Sequence, residues 1–167
     1  AAGTEANWWL RHSHPWQEIP KWPIIAVWCC ESYKQFDLLQ GQLETECFDR
    51  GWTFNKSDNL YQWPGGPGRA GDRLYLVSYD SDWTNVQGIN PDLVIFDEEP
   101  PQKLWKEMRM RRRGARKTRY CFACTATKGM TWIHAEIYSA WLKTHIDLGL
   151  TEEQIGRASC RERVSSP

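Results

Sequence analysis

The chain has 167 residues, with 21 basic and 21 acidic side chains, so its formal net charge is zero. A zero net charge excludes attraction to nucleic acids or membranes through a strong overall field. The length and the 41% hydrophobic content predict one domain with a substantial core, and the longest apolar run, residues 24–30, is far shorter than a membrane helix of roughly 20 residues.

Apolar segments and helical patterns alternate along the chain. Residues 24–30 (IIAVWCC) and 93–96 (LVIF) are short and apolar on both faces, which is typical of central parallel strands covered by helices. The strand–helix alternation predicts an α/β fold, a parallel sheet with helices on both faces. The predicted helices cover residues 1–11, 33–50 (with Ser32 as N-cap), 102–113 and 131–143, and a further one starts near 151–153; the predicted strands cover 24–30, 52–63, 73–79, 93–96 and 119–125; loops connect them at 12–23, 64–72 and 80–90.

Three acids follow the strand at 93–96, in the run PDLVIFDEEPP. Ligands of open α/β sheets bind just beyond the carboxyl ends of the strands, where Asp97 and Glu98 are expected to lie. An Asp-Glu pair there is the Walker B arrangement of nucleotide-hydrolysing motors: the first acid holds Mg²⁺ through water, and the second polarises the attacking water. The alternative is structural: Glu98 and Glu99 offset the dipole of the next helix, with Pro100 and Pro101 in its first turn.

A second polar motif, TATKG at residues 125–129, follows the predicted strand YCFAC. If this strand is adjacent to the one at 93–96, its hydroxyls lie beside Asp97 and Glu98, where they can sense a terminal phosphate or hold the catalytic water. Alternatively, Thr125 ends the strand and Gly129 turns the chain into a helix.

Basic residues dominate residues 103–119, which hold nine of them against one acid, Glu107. Arg109 and Arg111–Arg113 are candidates for contact with DNA or a partner subunit, and a solvated helix face is the alternative.

The positions of the cysteines and histidines in the sequence do not predict a metal centre. Cys121 and Cys124 form a CxxC within an apolar strand, so we expect core cysteines rather than zinc ligands. His12 and His14 lie in a proline-rich loop and are predicted to be surface residues without acidic partners. Six cysteines without framework spacing, and no secretory leader, predict a reduced, intracellular protein.

The last residues have a different character. Residues 155–164 read IGRASCRERV, the translation of a common short-read sequencing adapter. We therefore expect one authentic domain at residues 1–154 and a non-native tail at 155–167, which is excluded from fold reasoning. The adapter does not account for residues 165–167.

Four stretches together resemble the ATPase domain of the large terminase subunit of tailed bacteriophages. They are IPKWPIIAVWCCESYKQF, SYDSDWTNVQGINPDLVIFDEEP, KLWKEMRMRRRGAR and CFACTATKGMTWIHAEIY, and residues 1–10 resemble the helix that follows a P-loop. The resemblance implies a P-loop NTPase fold of the RecA-like kind, with Asp97 as the Mg²⁺ ligand and Glu98 as the catalytic carboxylate. It also implies that Thr125 and Thr127 belong to the motif that couples hydrolysis to domain movement.

The resemblance implies cofactors and partners too. The cofactors are ATP and Mg²⁺, and the activity is ATP-driven packaging of double-stranded DNA into procapsids. The partners are DNA, a portal protein, a small terminase subunit and further copies in a ring, without a membrane. Such a protein acts in the host cytoplasm and transiently at the procapsid portal.

The chain departs from this family in what it lacks. No Gly-Lys dipeptide occurs, so the Walker A motif G-x-x-x-x-G-K-[ST] is absent, and the glycine-rich residues 64–72 have no lysine. We expect Walker A and its strand to precede Ala1 in the complete protein, and a nuclease domain to follow. The chain alone is therefore expected to be inactive. Gln87 stands near the place where some relatives carry a trans-acting arginine.

Two other functions fit parts of the pattern. A helicase-like RecA-type ATPase shares the strand–acid–helix–strand–Thr order but continues into a second RecA-like domain. A degenerate ATPase fold that serves only as a binding module needs no P-loop. The sequences that flank the chain distinguish the three.

Overall fold

The computed structural model describes residues 2–15, 17–19, 23–46, 51–65, 71–81, 88–111, 118–124 and 131–147. These residues belong to two compact units, which divide between Thr125 and Ala126. None of the described helices is long and apolar enough to cross a membrane. The first unit contains α1 (Ala2–Leu10), β1 (Ile25–Cys30), α2 (Tyr33–Glu46), β2 (Thr53–Asn55), β3 (Leu60–Gln62), β4 (Arg73–Ser78), β5 (Leu93–Asp97), α3 (Gln102–Met110) and β6 (Arg119–Ala123).

The six strands form one mixed sheet in the order β2-β3-β4-β1-β5-β6. The strands β4, β1, β5 and β6 are mutually parallel, as predicted, and β1 lies between β4 and β5. The prediction of a single strand at residues 52–63 is wrong, because this segment is the antiparallel hairpin β2–β3, which pairs with β4. Asn55 explains the turn: its amide oxygen accepts a hydrogen bond from the Ser57 N–H at 2.9 Å, an Asx turn.

Each face of the sheet is covered by helices, which confirms the predicted layers. Leu93 and Ile95 of β5 belong to the cluster that includes α1 and α2. The alternate residue Phe96 packs edge-on against Trp105 of α3, with ring centroids 6.0 Å apart. Because strand side chains alternate between faces, burial of every residue from Leu93 to Phe96 requires both layers.

The edge where the parallel strands begin is fixed by buried carboxylates. Asp72 is 2% exposed. Its oxygens accept a hydrogen bond from the Ile24 N–H at 2.8 Å and lie 2.9 Å from the His12 ring nitrogen. His14 lies 3.2 Å from a Glu5 carboxylate oxygen. The expectation that both histidines lack acidic partners is therefore wrong, since these partners come from other segments of the chain.

The direction of α1 follows from the same contact. His12 comes just after the end of α1, and its partner Asp72 directly precedes β4. The helix packs on β5 and β6. It therefore runs antiparallel to the parallel strands, and its first turn is directed towards the edge where they end. The helix has nine residues with a rise of about 1.5 Å each, so its length is similar to that of β5.

The second unit is helical where it is described. A π-helical segment, His134–Tyr138, runs into α4 (Ser139–Asp147), so the helix predicted at residues 131–143 is confirmed and extends further. The Ser139 hydroxyl donates to the His134 carbonyl at 2.9 Å. The predicted helix start at residues 151–153 and the tail at 155–167 lie outside the described residues.

Candidate functional site

The carboxyl ends of the four parallel strands meet at one edge of the sheet. Asp97, the last residue of β5, is paired in register with Ala123, the last residue of β6. The two motif-bearing strands are therefore adjacent, which is the condition that the interpretation of the second motif required. In the sequence, Thr125 and Thr127 follow Ala123 by two and four residues, but both threonines, like Gln87, lie outside the described residues.

The chain turns sharply after β5. Glu98 has a φ of +69°, in the left-handed region that non-glycine residues rarely adopt. Its N–H donates to the Ala123 carbonyl at 3.0 Å, which extends the contact between β5 and β6 by one residue. Residues 97–99, which we term the acid turn, therefore hold a strained backbone at the ligand-binding edge of the sheet. Strain of this kind clusters at functional sites.

Tyr79 is a further residue of this site, and sequence reasoning did not find it. It follows β4 directly, and its hydroxyl lies 3.0 Å from the carbonyl oxygens of both Asp97 and Glu98. Its own N–H donates to the Cys30 carbonyl at 2.8 Å, at the end of β1. The acid turn is thus bonded to β6 on one side and to Tyr79 on the other. The only signal in the sequence was its place after an apolar strand, in the run SYD.

The acid turn is not the first turn of a helix. The next helix, α3, begins at Gln102, and its first turn contains no acid. Pro101 is its N-cap, with a ψ of 132°, so Pro100 and Pro101 both precede the helix. The part of the structural alternative that placed Pro100 and Pro101 in the first helical turn is therefore wrong, and Glu98 lies three residues before the N-cap.

The environment of Asp97 disfavours the charged form of its carboxyl. Burial, and then the charge of Glu98, raise the pKa of the half-buried Asp97 carboxyl. Burial and then Asp97 raise the pKa of the Cys30 thiol to about 12. Among the described residues, no basic side chain forms an ion pair with Asp97. A bound cation would relieve this repulsion.

The donor set fits Mg²⁺ bound together with phosphate. The described residues contain no group of three or more acids, histidines or cysteines that could hold a metal alone. Mg²⁺, however, commonly keeps several waters and binds one or two carboxylates plus substrate phosphates. Asp97 could supply one such carboxylate.

The cysteine predictions hold only in part. Cys121 is half-buried against the core cluster, as expected. Cys124 is exposed, so the prediction that it is a core cysteine is wrong: β6 ends at Ala123, and Cys124 is already beyond the strand. Although the residue is exposed, partial burial of its sulfur and then the charge of Glu98 raise the pKa of the Cys124 thiol to about 11, so the thiol stays protonated.

The basic candidates occupy different environments. Arg109 is exposed, and its guanidinium lies 5.3 Å from the centroid of the Trp105 ring. Arg111 is 11% exposed and forms an ion pair with Glu107 one helical turn earlier. The other two candidates, Arg112 and Arg113, lie outside the described residues.

Solved structures share this architecture. The sequence matches no protein-family model and no curated protein. The large terminase from a thermophilic bacteriophage superposes on the chain with a TM-score of 0.62 at 13% identity, over 94% of this chain and 40% of that one. The same terminase in complex with ADP gives a TM-score of 0.58 at 14% identity, with the same coverage. The chain has the fold of phage large terminases.

The terminase fold confirms the predicted fold class, an α/β P-loop NTPase sheet, and the antiparallel hairpin departs from the parallel pairing of the other described strands. The chain spans about 40% of the length of the terminase chains that it matches.

Glu98→Gly is expected to stabilise the chain by about 0.5–1 kcal/mol, because glycine adopts positive φ without the steric penalty of a side chain. The free energy of unfolding from denaturant titration measures this. Asn59→Gly is the matched control, since Asn59 also has positive φ, at 48°, but asparagine tolerates it better, so the gain should be smaller. A loss of stability in Glu98→Gly would contradict the left-handed backbone.

Asp97→Asn is expected to stabilise the ligand-free chain at pH 7, and the gain should shrink as the pH falls towards about 4. Because folding raises the pKa of Asp97 above 3.8, the folded state binds more protons than the unfolded state just above that pH. Stability therefore falls as the pH rises through the raised pKa, and asparagine removes this loss. Thermal unfolding across pH measures the difference.

The control for this pH dependence removes the charge of Glu98, which is the second cause of the raised pKa of Asp97. In a Glu98→Gln background the repulsion from Glu98 is gone, so the gain from Asp97→Asn should be smaller. A gain that is independent of pH would show that Asp97 is not the titrating group.

Proposed function

We propose that the chain is part of an ATP-hydrolysing motor of the phage large-terminase kind, and that the acid turn supplies its metal-holding and catalytic carboxylates. The observation that carries the proposal is the strained turn at Glu98, placed at the carboxyl edge of the sheet directly beside β6. The terminase fold and the ADP complex of one terminase structure support it.

The direction of α1 supports a phosphate site at the same edge. Since the first turn of α1 is directed towards the acid turn, a Walker A loop just before Ala1 would lie beside Asp97 and Glu98. Backbone N–H groups at the start of such a helix attract phosphate. In addition, β6 forms one edge of the sheet, where a preceding P-loop strand could pair.

The roles of the residues follow from this placement. The Asp97 carboxylate would orient a water of the hydrated Mg²⁺, and that ion, when bound, offsets charge on the phosphate oxygens. Glu98 would accept a hydrogen bond from the attacking water and align it with the terminal phosphate. Thr125 and Thr127, beyond the end of β6, would report the phosphate state to a neighbouring domain.

The biological role that we propose is packaging of double-stranded DNA into procapsids, in the host cytoplasm and transiently at a portal. The partners would be the portal protein, a small terminase subunit and other copies in a ring. On α3, the exposed Lys103, Lys106 and Arg109 recur every three residues and would suit contact with DNA phosphates or a neighbouring subunit.

The test compares this chain with a longer one that includes the upstream coding sequence. The chain alone is expected to show no Mg²⁺-dependent ATP hydrolysis, because it lacks the lysine and amides that bind the phosphates. The extended chain should contain G-x-x-x-x-G-K-[ST] and hydrolyse ATP. Hydrolysis by the short chain, or an upstream sequence without this motif, would contradict the proposal.

A further inference from the structure

The backbone of Glu98 is held by groups from two other strands. Its N–H is bonded to Ala123 of β6, and its carbonyl accepts a hydrogen bond from Tyr79, which follows β4. The hydroxyl of Tyr79 is shared with the carbonyl of Asp97, also at 3.0 Å. The N–H and the carbonyl of Glu98, the residue with the strained backbone, are thus both hydrogen-bonded to partners outside the acid turn.

We propose that Tyr79 is a positioning residue for Glu98: its hydroxyl fixes the left-handed backbone of the acid turn and thereby the place of the Glu98 carboxylate. This inference rests on the proposed catalytic role of Glu98. It extends that role, because a water-aligning carboxylate must be held to within a fraction of an ångström, and a misplacement of 1 Å can cost about 10²-fold in rate.

The hydroxyl of Tyr79 is suited to hold the acid turn, and its effect can be tested without changing the packing of the ring. Tyr79 is buried, and its N–H is anchored on the Cys30 carbonyl. A phenol hydroxyl is a hydrogen-bond donor at neutral pH, and the carbonyls of Asp97 and Glu98 are both within its reach. Phenylalanine would fill the same space and remove only the hydrogen bond.

Tyr120 provides a matched control. Its hydroxyl also donates to a backbone carbonyl, that of Met108 in α3, at 3.1 Å. Tyr120→Phe therefore deletes the same chemical group and the same kind of bond at a place distant in sequence from the acid turn. Any effect that is confined to Tyr79→Phe comes from the position of the bond and not from the loss of a hydroxyl.

The first test uses the chain itself and does not depend on activity. Hydrogen exchange of the Glu98 amide, measured by NMR, should accelerate about tenfold in Tyr79→Phe and stay within about twofold in Tyr120→Phe. The Ile95 amide in the middle of β5 is the reference for global unfolding. In the unsubstituted chain the Tyr79 hydroxyl proton should be observable, because a buried, hydrogen-bonded hydroxyl exchanges slowly; its absence would overturn the inference even if the variant does not fold.

The second test uses the extended, ATP-hydrolysing chain. Tyr79→Phe should lower kcat about tenfold and leave the KM for ATP within about twofold, whereas Tyr120→Phe should leave both unchanged. If Glu98→Gln abolishes hydrolysis but Tyr79→Phe has full kcat and unchanged exchange at Glu98, the inference about Tyr79 is wrong and the proposed function stands. If Glu98→Gln is fully active, the proposed function itself is wrong.

Discussion

Glu98→Gln in the extended chain is expected to lower ATP turnover by about 10²–10³-fold, the typical effect of removing one preorganised catalytic group. Glutamine preserves the size of the side chain and much of its hydrogen bonding, but it cannot polarise a water as a carboxylate does. Nucleotide affinity should change little, because the phosphate-binding groups remain. Steady-state hydrolysis and equilibrium titration with a fluorescent ATP analogue measure the two quantities separately.

Glu99→Gln is the matched control for this prediction. Glu99 is the next residue, is half-buried like Glu98, and lies outside the first turn of α3. The same substitution there should leave turnover within about twofold, since the position has no proposed contact with the water or the metal. Loss of hydrolysis in Glu99→Gln together with activity in Glu98→Gln would show that the catalytic assignment is one residue out of register.

Asp97→Asn is expected to weaken Mg²⁺-dependent nucleotide binding by about 10–100-fold, as substitutions around a metal site commonly do. The hydrated Mg²⁺ would lose an anionic partner, so the loss should be large with Mg²⁺ and small when EDTA is present. Isothermal titration with ADP in both conditions measures it. Asp80→Asn is the control and should bind normally, since Asp80 is exposed and lies two residues after the end of β4.

The two expected effects of Asp97→Asn have opposite signs. The substitution should stabilise the ligand-free fold and weaken ligand binding, because the same carboxylate that is repelled by Glu98 would attract the metal. A residue that serves only the fold would not show this reversal. Weaker stability and unchanged Mg²⁺ dependence would indicate a structural role for Asp97.

The layers of the fold could be predicted from periodicity alone. Residues 93–96 are apolar at every position, and only a strand with helices on both faces buries such a run. The parallel direction of β4, β1, β5 and β6 followed from the alternation of strands and helices. The adjacency of β5 and β6 did not follow from this pattern and is seen only in the structure. The hairpin at residues 52–63 was missed because its strands are only three residues long.

The geometry of the site could be predicted only in part. The edge at which Asp97 and Glu98 lie follows from the direction of β5. The left-handed backbone of Glu98 does not, because it depends on bonds to β6 and to Tyr79, 19 residues earlier in the chain. The pairing of His12 with Asp72, 60 residues apart, was missed for the same reason: a contact between distant segments leaves no mark in local composition.

The placement of a nucleotide tests the central proposal most directly. A crystal structure of the extended chain with Mg²⁺ and a non-hydrolysable ATP analogue should show the terminal phosphate at the carboxyl edge of β5 and β6. We expect an Mg²⁺-bound water within hydrogen-bonding distance of Asp97, and a second water between Glu98 and the phosphate. A nucleotide bound elsewhere, with the acid turn free of metal and phosphate, would contradict the assignment of Asp97 and Glu98 to ATP hydrolysis.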